Sequence, residues 1–203
     1  MTTIVVDTLE SSNGTLQIAD GTQLDFGDGG ALVLPGSVVN FAYVEYDGRT
    51  STSCNNNSFT VVPQMEVELV RKVAGSSFHI AFMINAECTS HDHGLTIHRR
   101  SNDGGWSLIG YNTDVGTQRW SGVNHGWYDR NNNSTPYNMG GVWYDPSPSN
   151  STFPVGTRMQ YTIGTRSSNS GNRTFWINRT DSRIGQNAYE NMVSSGYVME
   201  IAP

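Results

Sequence analysis

Apolar and polar positions in this chain alternate with a period of two, in short runs broken by turn residues, which is the pattern of strands covered on one face. Residues 37–46 form a β-branched and aromatic run that stops at Asp47-Gly48, a turn signal. In residues 65–70, Glu66 and Glu68 alternate with Met65, Val67 and Leu69, as in an antiparallel strand with one solvated face. Further strands are predicted over 78–86, 94–98, 106–111, 140–144, 159–165, 174–178 and 197–201. No stretch between them carries a helical period. The predicted fold is therefore all-β: an antiparallel β-sandwich or jelly-roll knob over residues 37–203.

Residues 1–36 read differently. The apolar pairs Ile4 and Val6, Leu16 and Ile18, Leu24 and Phe26 are separated by Asn13-Gly14, Asp20-Gly21 and Asp28-Gly29-Gly30. Such pieces bury too little to repay the entropy of ordering them alone. The segment is predicted to be a short extended β region that needs a partner surface, either identical copies around a threefold axis or a groove on another protein. The alternative is a tail without fixed structure.

Two connections interrupt the strands. Residues 112–139 hold Trp120, His125, Trp127, Tyr128 and a run of asparagines, and residues 145–151 are rich in Pro and Ser and read as an exposed loop. Loops on a rigid β scaffold are where binding usually resides.

Composition sharpens this picture. The chain has 203 residues, 22 of them Gly, only 15% charged residues and 36% hydrophobic ones, a profile of short strands and many turns. Lys72 is its one lysine, and the formal charge of −6 without a basic cluster argues against a nucleic-acid partner. No apolar run reaches bilayer length and the first residues lack the pattern of a cleaved export signal, so neither membrane insertion nor secretion is expected. Cys54 and Cys88 stand far apart outside any CxxC spacing and are expected to be structural thiols, with a single disulfide as the other possibility.

Candidate chemistry is sparse. The usual hydrolase, zinc-protease, phosphate-loop and dinucleotide motifs are missing, and no cofactor is expected. His91 and His93 form a His-x-His pair that on a strand would share one face and could bind a transition metal around a threefold axis; a polar turn with solvated histidines explains it equally well. Asp114, Asp129 and Asp145 would be the acids of a glycan-cleaving groove, but isolated loop acids are usually turn formers. The aromatics suggest recognition instead, because sugar faces stack on rings while nearby Asn and Asp bond hydroxyls. Trp120, His125, Trp127, Tyr128 and Asp129 are the candidate ligand site, whereas Trp106, Trp143 and Trp176, on strands, are expected in the core.

The order of pieces near the C-terminus, Met159-Gln-Tyr161, Arg166 to Gly171, Phe175-Trp-Ile-Asn-Arg179 and Val198-Met-Glu-Ile-Ala202, resembles the small β-rich domains of tail-fibre and other virion surface proteins of marine tailed bacteriophages, especially of cyanobacterial hosts. The opening Ile4 to Leu9, Ser12-Asn-Gly14 and Gly36-Ser-Val-Val39 is similar to how such proteins begin. The resemblance implies a trimeric tail fibre or spike on the virion, not an enzyme. Residues 1–36, through Ile4, Val6, Leu16, Ile18, Leu24 and Phe26, would join other virion proteins and further copies of the chain, and the knob would bind a host-surface glycan or protein. A head decoration protein and a polysaccharide-degrading spike are the alternatives.

Overall fold

A computed structural model describes residues 33–55, 58–88, 93–111, 122–125, 136–168, 171–180 and 191–203, with His125 described in its backbone alone. The expected N-terminal segment, apart from 33–36, lies outside the described residues. Val33–Pro203 form one compact unit.

The described residues carry twelve strands, a single 3-10 turn at Pro63–Met65 and no α-helix. They are β1 (Val38–Tyr46), β2 (Thr50–Cys54), β3 (Thr60–Val61), β4 (Val67–Val70), β5 (Ser77–Cys88), β6 (His93–Ser101), β7 (Ser107–Gly110), β8 (Asn124–His125), β9 (Tyr137–Asp145), β10 (Arg158–Ser167), β11 (Arg173–Ile177) and β12 (Ser194–Ile201). Two six-stranded sheets result. The first runs β1-β12-β5-β11-β2 with β9 on the other side of β5, and the second runs β3-β10-β6-β7 with β4 on β10 and β8 on β6. Every pairing among them is antiparallel. The all-β antiparallel sandwich read from the alternation is the observed fold.

β5 organises the first sheet. Its even positions Phe78, Ile80, Phe82, Ile84, Ala86 and Cys88 all point inward and are buried, facing Val67, Leu69, Leu95, Ile97, Met159, Tyr161 and Ile163 of the second sheet. Phe78 and Tyr161 touch across the layers with ring centroids 5.6 Å apart. Asn40 ties the edge strand β1 to the opposite layer, its Nδ2 donating to the Val70 carbonyl at 2.8 Å.

Three strands were not legible as such. β2 is Thr-Ser-Thr-Ser-Cys, with no apolar alternation to announce it, and it is recruited by β11 through the register Arg173 to Cys54. β3 and β8 are two residues each and exist only because β10 and β6 offer them an edge.

The loop over 145–151 is only partly the exposed loop expected. Pro148 is buried and its carbonyl accepts from Arg71 Nη1 at 3.0 Å. Asp145 is the last residue of β9 rather than a turn former. It is buried, takes Arg99 Nη1 on both oxygens at 2.8 and 2.7 Å, and accepts the Tyr161 hydroxyl at 3.0 Å.

Candidate interaction surface

The two outer faces of the sandwich differ in chemistry. On the second sheet, outward residues of β4, β6 and β10 form a charged lattice. Arg100 Nη2 donates to Glu66 Oε2 at 2.8 Å, Gln160 Nε2 donates to Glu66 at 2.5 Å and to Asp103 Oδ1 at 2.9 Å, and Arg158 bonds both Asp103 and Glu68. The Gln160 amide, then the Arg158 guanidinium, hold the Asp103 carboxyl below its ordinary range. An acid so held is ionised near neutrality and acts here as an acceptor for its two donors.

On the first sheet the outer face is apolar where β1, β12, β5 and β9 make it, and polar toward β2. Residues directly opposite in an antiparallel pair point to the same side. The register therefore aligns Phe41, Met199, His79 and Tyr144 in one row across β1, β12, β5 and β9. It aligns Tyr43, Tyr197, Ala81 and Val142 in the next, and Glu45, Ser195, Met83 and Gly140 in a third. Phe41, Tyr43, Met83, Val142 and Tyr144 are 49–62% exposed. Tyr197 sits between two rings, stacked on Phe41 with centroids 6.0 Å apart and beside His79 at 6.1 Å. Among the described residues these three rows hold no Lys, Arg or Asp; Glu45, at their margin, accepts the Tyr43 hydroxyl at 2.5 Å. Ala42, Val44 and Tyr46 are the members of β1 packed against the core.

This surface was missed in the sequence because a run such as Phe41-Ala-Tyr-Val-Glu-Tyr46 is apolar on both sides, and alternation does not say which side is covered. Cross-strand register, which needs the fold, brings nine such side chains from four strands together.

The residues expected to bind ligand fall otherwise. Trp120, Trp127, Tyr128 and Asp129 lie outside the described residues, as do Asp114, His91 and the N-terminal Ile4, Val6, Leu16, Ile18, Leu24 and Phe26. His125 is on β8, where its backbone pairs with Gly94 of β6. His93 opens β6 and is buried, not solvated, with its ring 5.4 Å from that of Tyr137 and 5.9 Å from that of Phe175. Among the described residues no three His, Cys, Asp or Glu side chains gather as metal ligands.

The strand tryptophans divide. Trp143 packs against the core, but Trp106 and Trp176 lie half-buried on outer faces, under the guanidinium groups of Arg100 at 4.4 Å and Arg179 at 4.1 Å. The expectation of a core position fails for these two because an arginine, rather than the opposite sheet, covers the indole. Cys54 and Cys88 are both buried, with no disulfide between them.

No protein-family model matches the chain, and no curated protein matches it. Among solved structures it is similar to the infectious bursal disease virus VP2 subviral particle, at 12% identity and a TM-score of 0.42 over 82% of this chain and 34% of that one. It is also similar to infectious bursal disease virus Gx strain, at 11% identity and a TM-score of 0.34 over 81% of this chain and 38% of that one. The chain spans little more than a third of the length of either of these chains.

Proposed function

We propose that this chain is a structural protein of a bacteriophage virion, a tail-fibre or spike component that attaches by residues 1–36 and displays its β-sandwich as a host-binding knob. The observation that carries the assembly part of this reading is the uncharged aromatic face on the outside of the first sheet. A protein working alone seldom leaves so large a contiguous apolar patch in water, whereas a subunit of a larger assembly does. The ion-paired lattice on the opposite face and the deep burial of Asp145 favour a rigid scaffold over a turnover site. The particle itself is suggested by the opening and closing segments, which resemble those of marine phage appendages.

In this reading copies assemble as trimers on the particle, and the connection between β7 and β9 meets a glycan or protein of the host surface. Trp120, His125, Trp127, Tyr128 and Asp129 would make weak contacts that add through multivalency. No nucleic acid, cofactor or membrane insertion enters the mechanism.

Cryo-electron microscopy of the purified particle tests the proposal, compared with particles grown with a chain lacking residues 1–36. The expected result is threefold density on the tail that disappears in the truncated form. Density at capsomer junctions of the head would replace the fibre by a decoration protein. Complete lack of the chain from particles would overturn the reading, and release of reducing ends from host envelope by the purified protein would make it a degrading spike.

A further inference from the structure

We infer that the outer face of the first sheet docks a second copy of the same chain, sheet against sheet. This rests on reading that face as the assembly surface, and it adds the identity of the partner.

Three properties of the face select the occupant. Size comes first. At the usual 150–250 Å² for an aromatic side chain, the half-exposed rings, Met83 and Val142, with the partly covered Tyr197, Met199, His79 and Ala81, offer roughly 700 Å². That is close to the ~800 Å² per partner of a standard stable interface.

Shape is the second. β1, β12, β5 and β9 lie side by side at about 4.8 Å spacing, and their outward residues fall into rows across the strands. Such a surface is complementary to another apolar sheet at ~10 Å, which is how the two layers of this sandwich already pack. The same patch on two copies forms an isologous contact that closes on itself as a dimer, so it joins chains of two different trimers rather than the three chains within one.

Charge is the third. The chain carries −6 overall, so copies approaching through their acidic surfaces repel. The face with Phe41, Tyr43, Tyr197, Val142 and Tyr144 lacks that repulsion, since Glu45 stands at its edge. A basic partner would gain nothing here. A glycan is matched less well, because Tyr197, at the middle of the patch, is flanked by Phe41 and His79 and few hydroxyl-bonding side chains stand among the rings.

Sedimentation equilibrium of the full chain over a concentration series tests this, with Val142→Arg and Tyr144→Arg on the face and Glu68→Gln on the opposite sheet as control. Circular dichroism and the unfolding midpoint establish that each variant folds. Met83 provides a second readout: its conversion to sulfoxide by dilute peroxide is followed by mass spectrometry. The expected result is self-association weakened at least tenfold by either arginine and not by Glu68→Gln, with Met83 protected at high concentration in the parent chain alone. A chain that stays monomeric to ~100 μM overturns the inference. So does association that both arginine variants leave unchanged, or protection of Met83 only inside the assembled particle, which would assign the face to a different virion protein. If purified particles lack the chain while association is still abolished by Val142→Arg, the virion reading falls and the pairing of copies stands.

Discussion

Arg71 and Glu200 are both fully buried and are joined through one hydroxyl: Arg71 Nε donates to Ser76 Oγ at 3.2 Å, and Ser76 Oγ donates to Glu200 Oε1 at 2.7 Å. The rest of each group is also used. Arg71 donates to the carbonyls of Val73, Pro148 and Phe153, while Glu200 accepts the backbone N–H groups of Lys72 and Val73. The two charges thereby fasten the turn after β4 and the loop after β9 to the last strand.

Removing one member strands the other's partners without water. Arg71→Met is expected to lower stability by about 3–5 kcal/mol, because several buried carbonyls and the Glu200 carboxylate lose donors or compensating charge. Glu200→Gln keeps part of the acceptor geometry and is expected to cost about 2 kcal/mol. Urea unfolding of the parent and both variants at neutral pH measures the order; equal stability of all three would show the network to be dispensable.

His98 makes the fold sensitive to acid. Its ring lies on the outer side of β6, edge-on to Phe59 with centroids 5.9 Å apart; the Arg166 guanidinium stands over that same phenyl at 5.2 Å, and His98 Nε2 is 3.0 Å from Thr96 Oγ1. Burial disfavours the charged imidazolium and lowers its pKa from 6.5 to about 4. The unfolded chain then binds the proton first as pH falls, so the contribution of His98 is complete above about pH 6.5 and is lost progressively toward pH 4. Across that window about 3 kcal/mol is at stake. Unfolding free energies between pH 7.5 and 4.5 are expected to fall more steeply for the parent than for His98→Gln, and parallel curves would remove His98 as the cause.

Gly196 and Phe82 are a matched pair on adjacent strands of the first sheet, paired directly in the register. A Cβ on residue 196 would overlap the Phe82 ring, so glycine is required there by the close approach of the phenyl rather than by its backbone angles. Gly196→Ala is expected to destabilise by about 1–3 kcal/mol through overpacking. Combining it with Phe82→Leu should recover part of that loss, giving a coupling free energy that a double-mutant cycle reads directly. Strict additivity would argue that the ring is not what limits residue 196.

Cys54 and Cys88 face the same end of the core from β2 and β5, with β11 between them: Arg173 stands opposite Cys54 and Phe175 opposite Cys88. The two thiols are free, with no disulfide between them. A hydrogen bond with the Cys88 side chain holds the Cys54 thiol below its ordinary pKa, although burial opposes this. Thiol titration is expected to find both cysteines slow to react in the folded protein and two thiols per chain in denaturant, also after mild oxidation. Loss of both thiols on mild oxidation without loss of fold would show instead that the two sulfurs can pair within the folded chain.

The alternation in residues 37–46, 65–70 and 78–86 determined by itself that antiparallel strands lie there, although the second starts only at Val67, after a 3-10 turn that takes Met65, and through their number and spacing that the fold is a sandwich. Glu66 and Glu68 fell on the solvated side as their spacing required, because a carboxylate opposite an apolar layer has only one tolerable orientation. Tertiary structure decided everything that depends on what lies across the sheet. β2 exists because β11 pairs with it. Asp145 is buried because Arg99 and Tyr161 meet it from two other strands, and His93 is a core residue because Phe175 and Tyr137 close around it. The outer face of the first sheet is the clearest case. Period-2 patterning is a local property with two equivalent sides, and in β1 both sides are apolar. Which side meets the other layer is fixed by sheet stacking between residues far apart in sequence, and that choice left Phe41, Tyr43, Val142 and Tyr144 facing outward.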